Sequence, residues 1–448
     1  MMRITSRVLA RFTLSFAALC VVSAARSQPQ DVPFLQAQSG DAGEAVSVDR
    51  MVELALSRNP ELLAARQRLA EAEGLLRQAG LRPNPAIDVS VANGDALNSS
   101  GEREVSVGYS HTFELGGKRE RRVNVAQRAV ELARSQVANR ERLLASEVRT
   151  RYGEALAALR NLQNAEELLQ LTRQSFDLAK ARAETGEGAP LEQGLLQVEV
   201  NRIDSDRLMF ASQVERSVLE AKLLAGLPLD QDLRLSGLLD KPVELPALEN
   251  VVEMALSRRP DLTTARLHEE LAEAELQLAR SSATPDVVAR GGYSHIQSRF
   301  DQLGFSEPGG NLVPLRDKDN LLTGGISILL PLANRNQGNI EAAIARQRAA
   351  RLERESLERM VRQEVLAALS RLTAASRALE LFSTGVIGQS QENLRVVRGA
   401  YDLGELRLLD VINEQRRLIE TQRAYTELLR DAFVAGVELE RAMGTAVK

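Results

Sequence analysis

Two Tyr-Ser-His triplets, at residues 109–111 and 293–295, are the first candidates for metal chemistry in this 448-residue chain. A zinc site needs three or four nitrogen, sulfur or oxygen ligands converging on one point. Neither His111 nor His295 has further ligands at such a spacing, so both read as residues of a barrel rim or loop. His268, beside Glu269 and Glu270, reads as a solvated helix residue. The cluster Lys118, Arg119, Arg121 and Arg122 could hold a phosphate, but no glycine-rich loop followed by Lys-Ser/Thr is present. It reads instead as a collar where strand becomes helix, with its cations at lipid headgroups. The runs RLERESLER (351–359) and RLIETQR (417–423) fit solvated helix faces with i,i+4 pairs. No nucleophile stands beside a base in any recognisable arrangement. The residues therefore point to no catalytic, cofactor or metal site, and a formal charge of −4 gives no electrostatic footprint for nucleic acid.

The elements that carry these residues are unusual. From Gly117 to about Glu184 there is no proline, and Ala, Leu, Glu, Arg and Gln dominate. These residues lose least on entering a helix. Such a helix is roughly 100 Å long at 1.5 Å per residue. Asn334 to about Leu403 reads the same way. Aromatics are 3% of the chain and Trp is absent, which suits thin helix seams better than a thick core. Helices of this length predict a rod or the wall of a tube.

Residues 1–25 read as a signal peptide: Arg3, Arg7 and Arg11 precede the apolar run Leu14–Val22 and the small residues Ser23-Ala24-Ala25. Cys20 is the sole cysteine. As a lipidation site it would need a small residue before it, and Leu19 is not small. Residues 26–47 read as a flexible linker. Then VELALSRNPELLAAR (52–66) returns as VEMALSRRPDLTTAR (252–266), identical at ten of fifteen positions. A repeat of about 200 residues is too long for a solenoid unit and marks a duplicated half-molecule. The halves are expected at 48–226 and 247–444, joined by a linker at 227–246. Each holds a helix, two strands, a very long helix, a glycine turn and a returning helix. The opening helices (48–81 and 247–283) contain Pro60 and Pro260 at matching places, which should share one geometry.

Strands are expected at about 86–92, 104–114, 286–296 and 320–331. Val107, Tyr109, Phe113, Ile326 and Ile328 alternate with Ser, Gly and Thr, as in strands of a membrane barrel whose apolar side faces lipid. A half-buried soluble sheet shows the same alternation, but no further strands exist to complete one. Residues 93–103 and 297–319 read as long polar loops between strands. Four strands cannot close, and an open edge is not tolerated in hydrocarbon, so copies must pool their strands. A dimer would supply eight strands and a trimer twelve.

LALSRNPEL (54–62), the PNP at 83–85, FELGGKR (113–119) and YDLGELRLLDVINEQ (401–415) resemble the TolC family of outer-membrane efflux channels over essentially all of 48–444. ELGGKR and LPLANRNQGNI (330–340) are similar to its cobalt-zinc-cadmium branch. The resemblance implies a mainly α fold with a small membrane β part. A homotrimeric, twelve-stranded β-barrel would continue into a periplasmic α-helical tunnel in the outer membrane. It implies an exit duct for divalent metal cations, working with a periplasmic adaptor and a proton-driven inner-membrane transporter of the RND type. The adaptor would dock at the helix tips, around Gly186 and Gly188 in one half and Tyr401, Gly404 and Asp410 in the other. The tip TGEGAP departs from the fuller motif of the second tip. Without a His/Cys/Met cluster, ion choice would rest with the transporter. A drug-efflux or type I secretion duct is the runner-up within the fold, and a soluble periplasmic coiled-coil scaffold is the alternative from another class.

Overall fold

The computed structural model describes residues 45–94, 102–186, 189–237, 239, 248–306 and 308–445. The signal-peptide segment with Cys20, most of the first linker and Gly188 lie outside them. Strand β1 (Ala45–Val46) and helix α1 (Val48–Arg58) open the described chain, followed by α2 (Pro60–Ala79). Strands β2 (Ala86–Asn93) and β3 (Glu102–Phe113) lead into α3 (Lys118–Glu184) and the returning α4 (Pro190–Ala225). After β4 (Arg234–Leu235) the second half repeats the order. It comprises α5 (Leu248–Arg258), α6 (Pro260–Ser281), β5 (Val287–Phe305), β6 (Leu312–Ile328), α7 (Gln337–Leu381), α8 (Ile387–Asp402) and α9 (Leu408–Met443).

Each opening helix is in fact two, because Pro60 and Pro260 both begin a new helix. The first turn of a helix has no use for the N–H that proline lacks, and φ is already set there. The second long helix is also divided. A π-turn at Phe382–Val386 separates α7 from α8, so Asn334–Leu403 is not one uniform helix. Its counterpart α3 runs unbroken for 67 residues.

The core is a set of seams between helices. The largest centres on Tyr152 of α3, with Met51, Ala55, Leu62, Leu144 and Val148 around it. The Tyr152 hydroxyl lies 2.7 Å from the Val46 carbonyl and 2.5 Å from that of Ser236, and accepts from the Ser236 N–H at 3.0 Å. These bonds tie α3 to the parallel pair β1–β4. Ala45–Ser47 and part of 227–246 are therefore structural: Ser47 caps α1, and Leu227 and Leu239 enter the core. Their Asp, Gly and Pro neighbours disguised this in the sequence. Gly153 is the one interior glycine of α3 because a Cβ there would meet the Phe433 ring of α9 at 2.4 Å. The halves interleave: α3 packs on α6 and α9 as well as on α2 and α4.

The four longer strands form one antiparallel sheet in the order β2-β3-β5-β6. Strand β5 continues to Phe305 and β6 starts at Leu312, with a bulge between Arg299 and Leu303. Most of the stretch expected as a loop at 297–319 is thus strand. A hairpin in water needs no apolar alternation, so its charges concealed the pairing. Outside the four-stranded sheet only the short β1–β4 pair is present among the described residues, and none of their helices is long and apolar enough to cross a membrane.

Candidate conduction surface and helix tips

The sheet's register sorts its side chains by chemistry. Residues paired across strands share a face, and neighbours along a strand alternate. One face carries the rows Phe113–Val287–Ile328, His111–Ala289–Ile326, Ile87–Tyr109–Gly291–Gly324 and Val89–Val107–Tyr293–Leu322. Val107, Tyr109, Phe113, Ile326 and Ile328 therefore lie together on one side, each about half exposed or more. The other face carries Asp88, Ser90, Ser106, Ser110, Thr112, Arg290, Ser294, Thr323 and Ser327. Ser90 and Ser106 meet across it, Oγ to Oγ, at 2.7 Å. A broad apolar face in water is costly, while β2 and β6 both present an unpaired edge. Lipid on one face and further strands at both edges remove both problems.

The histidines do not meet. His111 packs edge-on against Phe113, ring centroids 4.8 Å apart, whereas His295 bonds Asn320 at 2.8 Å and Gln297 at 3.0 Å. His295 pairs with Val105, six residues along β3 from His111, or about 20 Å at strand rise. Among the described residues no group of three or more His, Cys, Asp or Glu could hold a metal ion.

The basic collar is mostly occupied within the chain, which corrects its reading as a set of headgroup contacts. Lys118 pairs with Asp286 at 2.7 Å, and Arg119 donates to the Gly80 carbonyl. Arg122 holds Glu114 at 2.6 Å and the carbonyls of Ala79 and Leu81. Arg119 and Arg122 close the C-terminal end of α2, where free carbonyls favour positive charge. Arg121 is exposed.

At the opposite end of the helices, α3–α4 and α8–α9 are two hairpins joined through Leu196, Leu408 and Ile412. Gly186 and Gly404 have φ of 81° and 79°. Gly404 closes α8 in a Schellman motif, its N–H on the Tyr401 carbonyl and the Glu405 N–H on that of Ala400, both at 2.9 Å. Asp410 accepts from the Arg407 N–H at 3.1 Å and so caps α9. Tyr401 donates to Glu192 of the other hairpin at 3.3 Å. Burial and the neighbouring Glu192 charge push the Tyr401 hydroxyl pKa up. The sequence had not singled out Glu192, because a contact between distant halves leaves no local spacing to read. The same holds for Arg416, which reaches buried Glu199 across α4 and α9 at 2.9 Å.

The family profile "Outer membrane efflux protein" matches residues 51–226 and 251–445, most of the chain. The chain belongs to this family. Among curated relatives, it is 22% identical to the cobalt-zinc-cadmium resistance protein CzcC of Cupriavidus metallidurans, covering 90% of this chain and 91% of that protein. It is 28% identical to the nickel-cobalt-cadmium resistance protein NccC of Alcaligenes xylosoxydans xylosoxydans, over 69% of this chain and 66% of that one. Among solved structures, it superposes on CusC with a TM-score of 0.73 at 21% identity, over 91% of this chain and 95% of the other. The family identity places the chain in the outer membrane as an efflux channel, and its members are channels rather than enzymes. The expected fold class holds, helical tunnel with a small sheet, and the family's members assemble as trimers in tripartite pumps.

Proposed function

We propose that this protein is the exit duct of a tripartite pump that expels divalent heavy-metal cations. The observation that carries the duct is the two-faced, open-edged sheet at one end of long helices, of which α3 alone runs about 100 Å. Three copies would pool twelve strands into a closed barrel, with Val107, Tyr109, Phe113, Ile326 and Ile328 against lipid and the serine-rich face lining the lumen. Small hydroxyl side chains leave a hydrated ion its water, so the lumen passes ions and their choice rests with the transporter. The metal assignment is supported by the resistance named for CzcC and NccC.

The helix tips at Gly186 and Gly404 lie at the far end from the sheet and offer a periplasmic adaptor its grip, with Tyr401 and Asp410 beside Gly404. An inner-membrane transporter of the RND type would supply substrate and driving force. A soluble scaffold does not fit the family. Deleting the gene in its host should raise sensitivity to cobalt, zinc, cadmium or nickel, with restoration by the wild-type gene. Unchanged metal sensitivity with new sensitivity to organic compounds would move the protein to the drug-efflux reading.

A further inference from the structure

Beyond its apolar band, the lipid-side face of the sheet turns abruptly cationic. The row Val105–His295–Asn320 is followed by Arg103–Gln297–Lys318, and then by Arg299 directly opposite Arg316. On the other face the same stretch carries carboxylates: Glu104 with Asp319, then Glu102 with Asp317. Four cations and four carboxylates are sorted onto opposite sides of a few paired residues. A hairpin lying free in water gains from opposite charges on the same face and loses from like charges directly opposite. Arg299 and Arg316 are in that unfavourable register, both are exposed, and neither they nor Lys318 form an ion pair with any described residue.

The position along the sheet fits an interface. From Phe113 to Val105 the apolar face spans about 27 Å along the strand, or roughly 20 Å in height at a barrel's tilt. Each further row adds about 5 Å, so the cations stand about 5–10 Å above the apolar edge. Between them runs a hydrogen-bonded belt, Tyr293 to Asn320 at 2.6 Å and His295 to Asn320 and Gln297, of the kind that suits a membrane–water boundary. The helical end of the sheet differs. There Lys118 and Arg122 are consumed by Asp286 and Glu114.

We propose that Arg103, Arg299, Arg316 and Lys318 form a docking surface for phosphate-bearing glycolipid headgroups of the outer leaflet. This rests on the reading of the sheet as the membrane wall. A phosphate between Arg299 and Arg316 removes their repulsion, and each guanidinium can take it through two parallel hydrogen bonds. The carboxylates on the lumen side are kept out of reach, so they do not repel the lipid.

The test uses the assembled full-length protein, purified in non-ionic detergent and stripped of lipid. It is titrated with bisphosphorylated lipid A, fully dephosphorylated lipid A and phosphatidylglycerol, with binding read by native mass spectrometry. The wild type should bind the bisphosphorylated form selectively. Arg299→Ser with Arg316→Ser should bind it about thirtyfold more weakly, from roughly 1 kcal/mol per basic residue at an anionic surface. Glu102→Gln with Asp317→Asn, at the same height on the other face, should bind no more weakly than wild type. Equal binding of dephosphorylated lipid A or of phosphatidylglycerol, or undiminished binding by the double arginine variant, would overturn the proposal. If that variant does not assemble, Lys318→Gln decides, since unchanged binding there counts against the surface. A wild-type chain that forms no membrane barrel would instead defeat the underlying reading.

Discussion

Asn59 and Arg259 stand at the same joint of the two halves and hold the equivalent carbonyl with different side chains. Asn59 Nδ2 donates to the Leu224 carbonyl at 2.9 Å, and Arg259 Nη1 donates to that of Ala442 at 3.3 Å. Both carbonyls lie two residues before a left-handed glycine, Gly226 or Gly444, that ends the returning helix. A Cβ on Gly226 would meet the Arg58 carbonyl oxygen at 2.7 Å, and one on Gly444 the Arg259 nitrogen at 3.1 Å. Duplication kept the backbone joint and changed the chemistry that locks it.

The two locks should differ in strength. Asn59 caps α2 through Oδ1, which accepts from the N–H groups of Glu61 and Leu62 at 3.0 and 3.1 Å. Arg259 is 4% exposed and binds Asp261 in a two-point contact and Glu364 at 2.7 Å. Asn59→Ala should cost about 1–2 kcal/mol, as lost caps do. Arg259→Ala removes the two-point partner of Asp261, leaving it Arg142 at 3.5 Å, frees the Glu364 contact, and should cost about 3–5 kcal/mol. Thermal unfolding of the purified protein measures both, and equal losses would show that the charge network adds nothing to the cap.

The barrel assignment yields a comparison between neighbours. Val107→Arg places a charge on the lipid side and should cost about 2–4 kcal/mol near the midplane. Ser106→Arg places it in the lumen and should be much milder. Equal losses of assembled oligomer in outer-membrane fractions would mean that the faces are wrongly assigned.

Acid should weaken the seam between α4 and α9. Glu199 is 1% exposed, yet hydrogen bonds from Arg202 and Arg416 outweigh burial and hold its carboxyl below the usual glutamate range. Its contribution is thus complete above the unfolded pKa of about 4.3 and is lost as pH falls through the depressed folded value. Glu199→Gln should be less stable than wild type by roughly 1–3 kcal/mol at neutral pH. The gap should close on acidification, and a gap independent of pH would remove the ion pairs as its cause.

The repeat, the helix-rich composition and the period-two alternation were enough to read the architecture, because each is a local pattern that a long element must obey. What escaped reading was set by contacts without a local signature. The strand character of 297–305 and 312–319 was hidden because Arg316, Asp317, Lys318 and Asp319 look like loop when no apolar face is required. The π-turn at Phe382–Val386 falls on Phe-Ser-Thr-Gly-Val, weak helix formers that lower helix propensity without marking a π-turn; the stack of Phe382 on Tyr425, centroids 6.5 Å apart, accompanies it. At the tips, Gly404 was legible from glycine's backbone freedom, while its neighbour's link from Tyr401 to Glu192 spans the two halves and could not be.

The tip separates folding from docking. Gly404 sits at φ 79°, with nothing within 4 Å of where a Cβ would be. A β-branched residue there meets no clash and pays only the left-handed backbone strain, roughly 1–2 kcal/mol. That is too little to unfold a chain whose seams run the length of its helices. It is enough to open the Schellman turn and shift the protruding loop. Gly404→Val should therefore leave oligomers in the outer membrane while abolishing export, read as metal sensitivity of the host. Gly404→Asn, which tolerates the same φ, should retain most export. Loss of assembly in the valine variant, or normal export by it, would show that this turn is not where the pump's partner takes hold.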